Sequence, residues 1–164
     1  MRIVANIYDM SQFLPTLILR HHKENVKKCS LRGLESTLQF ITYPAKELPD
    51  LTHYVILTPN APLLTEAKGL FLVDATWRYA SLMIKSLSPN LTYRSLPSTL
   101  ITAYPRRQDE PHGLASIEAL YLAYLITGQD PSTLLDHYYW KESFLKKNSL
   151  IIEDLKDATM HQGE

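Results

Sequence analysis

Glycine is scarce in this chain: five residues in 164, none of them set out as Gly-x-Gly-x-x-Gly or as a P-loop. Those motifs need glycine for a tight turn and for close approach of backbone to phosphate, so a conventional dinucleotide or nucleoside-triphosphate site is excluded. A Gly-x-Ser-x-Gly nucleophile elbow is missing as well. Cysteine occurs once, as Cys29, which cannot close an internal disulfide and points to a reducing compartment. As a nucleophile it has little behind it; a small buried residue is the plainer account. His21 and His22 are adjacent and no second thiol exists, so no zinc spacing is found and no metal is expected. The longest apolar run is far too short to cross a bilayer. The opening MRIVANIYDM has acid and amide groups where a signal peptide needs an apolar core, so a cytoplasmic location without membrane contact is expected. An excess of one charge is also absent, with 17 basic against 17 acidic side chains. A general nucleic-acid binder would have a pI above about 9.

The charge that is present is unevenly spread. RHHKENVKKCSLR (20–32) holds Arg20, Lys23, Lys27, Lys28 and Arg32 against Glu24 alone. From charge alone it reads as a solvated loop, although a local patch can hold phosphates on a neutral molecule. The stretch after Ile152 is mostly acidic and reads as a partly frayed end.

Four runs have strand character: RIVANIY (2–8), TLQFITY (37–43), HYVILT (53–58) and LFLVDA (70–75). The last two are nearly continuous apolar runs, as in parallel strands covered on both faces. A fifth strand is expected near LTYRSL (91–96). Between them, SQFLPTLILR (11–20) reads as a helix weakened by Pro15, and TWRYASLMIKSL (76–87) as a helix stopped by Ser88 and Pro89. Alternation of this kind implies an α/β sheet. Residues 95–113 carry three prolines and little periodicity, and form a long ordered connector. The connector enters a helix over 114–127, closed by Gly128, and two or three further helices follow. The expected organisation is an α/β lobe over 1–95 and, over 96–164, the connector with a helical lobe.

LFLVDATWRYASLM (70–83) places Asp74 and Trp77 three apart where strand gives way to helix. Open sheets bind ligands at strand C-termini. Trp77, Leu57 and Pro59 would offer a flat apolar surface for a ring, and the start of helix 114–127 a positive dipole end for a carboxylate. Taken on these residues alone, Trp77 as core and Asp74 as a helix cap is the simpler account.

KKCSL (27–31), VDATW (73–77), RSLP (94–97), the register A-x-P followed by P-x-x-L-x-S-x-E-A (103–119), and YYWKESFLKKN (138–148) occur in that order. In this the chain resembles the ribosome-biogenesis aminocarboxypropyltransferases of ribosomal RNA, relatives of the DTW-domain tRNA enzymes. The resemblance implies a SPOUT-like parallel sheet with a trefoil knot that includes the connector. It implies S-adenosylmethionine as cofactor and transfer of its 3-amino-3-carboxypropyl group to a uridine-derived base in structured RNA.

Carried over by position, Leu57 and Pro59 would pack on adenine with Trp77. The Val73 carbonyl would hold the ribose, and Leu96, Leu114 and Ala119 would close the far side of the ring. Ser30 would reach the ribose or the amino-acid end, and Ser116 would anchor the cofactor carboxylate. Trp77 and Ala80 would bury the sulfonium methyl, leaving the aminocarboxypropyl carbon open to attack. Asp74 would accept the nucleophile's proton or orient it. Lys27, Lys28 and Arg32 would contact RNA phosphates, with Arg106 and Arg107 across the cleft. The family's Asn-Pro-x-Asn-Tyr-Gly is replaced by Tyr104-Pro105-Arg106-Arg107-Gln108-Asp109, which leaves the identity of the target base open. A tRNA target, a SPOUT-type methyltransferase and a non-catalytic RNA-binding assembly factor are the rival readings. With both cofactor walls on one chain, a monomer is expected.

Overall fold

The apolar runs at 17–21, 54–57 and 69–74 become strands because they are buried on both faces. The computed structural model describes residues 12–105 and 113–162. Its elements are β1 (Leu17–His21), β2 (Gln39–Tyr43), β3 (Tyr54–Leu57), β4 (Gly69–Asp74), α1 (Trp77–Lys85), β5 (Thr92–Arg94), α2 (Ser116–Thr127), α3 (Lys141–Lys147) and α4 (Ser149–Gln162). The five strands make one sheet in the order β2-β1-β4-β3-β5, parallel at every pairing.

Alternate residues of the strands serve two cores. Ile18, Val55, Leu57, Leu70 and Leu72 face a cluster built with α2, α3 and α4, including Leu120, Leu122 and Phe144. Leu17, Leu19, Ile56 and Phe71 face the other cluster, with Met83 of α1 and Leu87 just beyond it. Each fully buried side chain of this size contributes about 1.5–3 kcal/mol. The sheet is therefore the middle of three layers, and the first of its cores takes residues from both sides of the 95/96 boundary.

Three expectations change. Where it is described, from residue 12, the run expected as a helix over 11–20 is not one: it ends in β1, inserted between β2 and β4. Leu17, Ile18 and Leu19 are all buried, and so short an apolar run has no period that separates a helix from a doubly covered strand. Of the two or three helices expected after α2, two form, α3 and α4, with residues 130–140 in turns before them. The acidic stretch after Ile152 continues as α4 to Gln162 instead of fraying. Asp74 does not cap α1; Thr76 occupies the N-cap position. The strand expected at 2–8 lies outside the described residues. The α2 stop matches its reading, with Gly128 left-handed at φ 83° as a C-cap glycine.

Candidate active site

Strands β3, β4 and β5 end side by side, and the chain leaving each one turns around the mouth of a single cleft. Its volume is about 870 Å³, within the range of small-molecule sites. Leu57, Pro59 and Asn60 enter it from the end of β3, Val73 and Asp74 from the end of β4, and Trp77 and Ala80 from the first turns of α1. Leu96 enters after β5, Leu114, Ser116 and Ala119 from the start of α2, and Ser30 from the loop after β1. All ten residues expected to hold the cofactor, and Asp74 with them, thus share one cavity. Trp77 is half-buried on its wall rather than lost in a core.

Backbone hydrogen bonds fix the rim. Thr58 N–H donates to Arg94 at 2.9 Å, and Ser95 N–H to Pro62 at 2.8 Å. The Ser95 hydroxyl donates to the Ala61 carbonyl at 2.6 Å. Asn60 takes the left-handed conformation at φ 62°, which asparagine tolerates better than most residues.

The polar end of the cleft is a network around Asp74. Register pairs Arg20 of β1 directly with Asp74 of β4, so both side chains leave the same face. Arg20 Nε donates to Asp74 Oδ2 at 2.9 Å, and its guanidinium lies 4.2 Å from the centre of the Phe40 ring. Burial works against the Arg20 charge, yet the hydrogen bond to Asp74 and the Asp74 charge hold its pKa above the ordinary value. The Cys29 thiol donates to Asp74 Oδ2 at 3.1 Å, and the Ser116 hydroxyl to Oδ1 at 3.1 Å. Burial, and then the Asp74 charge, pushes the Cys29 thiol up to about 12. Cys29 is a protonated donor here, not a nucleophile.

Ser30 meets α2 from outside. Its hydroxyl oxygen accepts the Ile117 N–H at 3.1 Å, so that donor of the helix start is already taken, while the Ser30 hydroxyl keeps its own proton to donate. Ala115, at the N-cap, has no side-chain oxygen; Glu118 instead reaches back to its N–H at 2.8 Å. Glu118 also accepts from Thr102 Oγ1 at 2.6 Å, Ala103 N–H at 2.8 Å and Tyr138 Oη at 2.9 Å. Burial, and then the Glu118 charge, holds the Tyr138 hydroxyl above its ordinary value. This carboxylate ties the connector, α2 and the 130–140 turns into one wall.

Sequence reading missed Arg20 as the partner of Asp74, because pairing depends on strand register, and it passed over Glu118, although the S-x-E-A block contains it. Glu24 brings a carboxylate within 4.8 Å of Cys29 and Asp74. Arg20 already contacts both of those groups, so a metal ion there would meet a fixed positive charge. Lys27, Lys28 and Arg32 are exposed beside the cleft without lining it. Arg106 and Arg107 lie outside the described residues.

A cleft lined by apolar side chains and, at one end, by hydroxyls and a carboxylate, set at the C-terminal ends of parallel strands, defines an α/β protein with a small-molecule site at its sheet edge. The chain belongs to the family described as ribosome biogenesis protein, C-terminal, whose model matches residues 51–163. It is 28% identical over 155 residues to a 16S rRNA aminocarboxypropyltransferase of Methanocaldococcus jannaschii, covering 88% of this chain and 89% of that one. With a protein of the same name from Vulcanisaeta distributa it shares 32% identity over 100 residues, 59% of this chain and 54% of the relative, so that match spans about half the relative's length. Its fold is that of the SAM-dependent rRNA:acp-transferase Tsr3 of Vulcanisaeta distributa, at a TM-score of 0.67 and 24% identity over 92% of this chain and 88% of that one.

Proposed function

We propose that this chain transfers the 3-amino-3-carboxypropyl group of S-adenosylmethionine to a uridine-derived base in structured RNA, with ribosomal RNA as the substrate. The observation that carries this reading is the gathering of all ten expected cofactor residues into one cleft at the strand C-termini. The names of the relatives from Methanocaldococcus and Vulcanisaeta support it.

The donor set fits the cofactor in kind. Leu57, Pro59, Trp77, Leu114 and Ala119 would hold the adenine, with Leu96 beside them and the Val73 backbone at the ribose. Ser30 and Ser116 supply hydroxyls at the amino-acid end. S-adenosylmethionine, when bound, supplies a sulfonium with three electrophilic carbons. The chain's part would be selection among them by shielding: Trp77 and Ala80 would cover the methyl side, so that only a carbon left in line with the base could react. Asp74 acts as an orienting group, since Oδ2 is engaged by Arg20 and Cys29 and Oδ1 by Ser116. In the same reading the cofactor lies between the 1–95 and 96–164 lobes, the connector forms part of a trefoil knot, and the protein works as a cytoplasmic monomer. Among the described residues no helix is long and apolar enough to cross a membrane.

Mass spectrometry of ribosomal RNA incubated with the protein and carboxyl-labelled cofactor tests the proposal. A gain of one aminocarboxypropyl group is expected, with methylthioadenosine as by-product. A methyl gain with S-adenosylhomocysteine, a gain on tRNA alone, or no gain with RNA still bound would each replace this reading with a rival.

A further inference from the structure

Outside the cleft, one aromatic side chain is placed where packing alone does not explain it. Tyr139 is 86% exposed, more than any other large apolar side chain among the described residues. A single exposed ring is unremarkable, but this one is built in. Trp140 meets it edge-on at 5.0 Å, and Tyr104 meets Trp140 edge-on at 5.2 Å. Tyr104 also lines the cleft, and its hydroxyl donates to the Lys28 carbonyl. The aromatic turn is packed against the basic loop at a second point. A Cβ at Gly33, where φ is +96°, would fall 2.8 Å from the His137 ring, so glycine is needed there on both counts. Beneath, Cys29, Leu31 and Leu34 share a core with Leu134, Leu135 and Tyr138. Through Trp140 and Tyr104 the exposed ring is thus joined both to the loop that exposes Lys27, Lys28 and Arg32 and to the wall of the cleft.

We propose that Tyr139 is a stacking platform for an unpaired base of the RNA, backed by Trp140 and Tyr104, with Lys27, Lys28 and Arg32 holding the flanking phosphates. This rests on the reading of the protein as an RNA-modifying enzyme and adds the form of RNA it takes: a single-stranded loop, not a duplex. Proteins read such segments by stacking splayed bases on aromatic faces while cations track the backbone. A base that undergoes chemistry must leave its stack, and a neighbour parked on Tyr139 keeps the strand open beside the cleft. Asp136 and Glu142 flank the turn and Glu24 and Glu35 belong to the strip, against Lys23, Lys27, Lys28, Arg32 and Lys141; the cations cluster at 27–32, where no acid intervenes, and that local cluster favours a polyanion over a protein partner.

The experiment uses the full chain, a short single-stranded RNA carrying a fluorescent adenine analogue, and the same strand annealed to its complement. Tyr139→Ala is expected to bind the single strand about five- to a hundredfold more weakly and to lose the quenching that stacking causes. Tyr139→Phe and Tyr139→Trp should keep both properties. Duplex affinity and binding of labelled S-adenosylmethionine should not change in any variant. Unchanged single-strand affinity and quenching in Tyr139→Ala, with RNA binding intact, would overturn the platform alone. A self-association seen in sedimentation and abolished by Tyr139→Ala, with RNA binding unchanged, would make the patch a protein contact and also overturn it. Wild-type protein that binds the cofactor and neither RNA would remove the RNA reading itself.

Discussion

Two carboxylates, one at each end of the α2 network beside the cleft, are buried, and they are satisfied in opposite ways. Asp74, 3% exposed, faces a guanidinium, a thiol and a hydroxyl. Glu118, 0% exposed, accepts two backbone N–H groups and two hydroxyls, all neutral. Asp74 lines the cavity and Glu118 does not. The difference separates two jobs: Glu118 fastens three chain segments together, whereas Asp74 holds a charge-balanced network at the point where a ligand's charge would be felt.

The largest effect should come from the fastener. Glu118→Ala strands four donors, each costing about 1–3 kcal/mol when buried, so urea unfolding should show a loss above about 3 kcal/mol. A loss near zero would erase the contrast. Asp74→Asn keeps the shape but leaves Arg20 without its counter-charge. Arg20 is 14% exposed and water relieves part of the penalty, so a loss of about 2 kcal/mol is expected. Cofactor affinity should fall in this variant even where the protein stays folded. If calorimetry ranked Asp74→Asn above Glu118→Ala in destabilisation, the assignment of roles would be reversed.

Trp77→Ala sharpens the comparison from the ligand side. Trp77 is half-buried on the cleft wall, so the melting temperature should move little while affinity for labelled cofactor drops about tenfold or more. Equal affinity would remove the indole from the site.

The smallest effect is alkaline. The Cys29 thiol holds its proton to about 12 in the folded chain, against an ordinary 9.0. Between those values the unfolded chain binds fewer protons than the native one, so stability falls as pH rises through that window. Below about 9 both forms are protonated and the contribution is complete. Cys29→Ala should lack this component, seen as a shallower decline than wild type in denaturant titrations from pH 9 to 12. Parallel curves would mean that the thiol ionises freely in the native state. Iodoacetamide at pH 8 should leave Cys29 unmodified until urea is added.

What the residue order determined by itself was whatever local pattern carries: continuous apolar runs that became β3 and β4, helical spacing that became α1 and α2, a glycine that closes α2. It also determined the junction at Asp74 and Trp77, because a strand end leading into a helix start puts those side chains at a sheet's ligand-binding edge wherever the neighbouring strands lie. Tertiary structure alone decided that 17–21 is a strand rather than a helix, since only layers on both sides of the sheet make Leu17, Ile18 and Leu19 all inward-facing. It decided that Arg20, which in sequence belongs to a basic loop, pairs with Asp74 fifty-four positions away, because strand register and not proximity along the chain brings them together. And it decided that Glu118 turns inward to bind four donors: nothing in a helix's own sequence says which side chains of the connector and the later turns will arrive there.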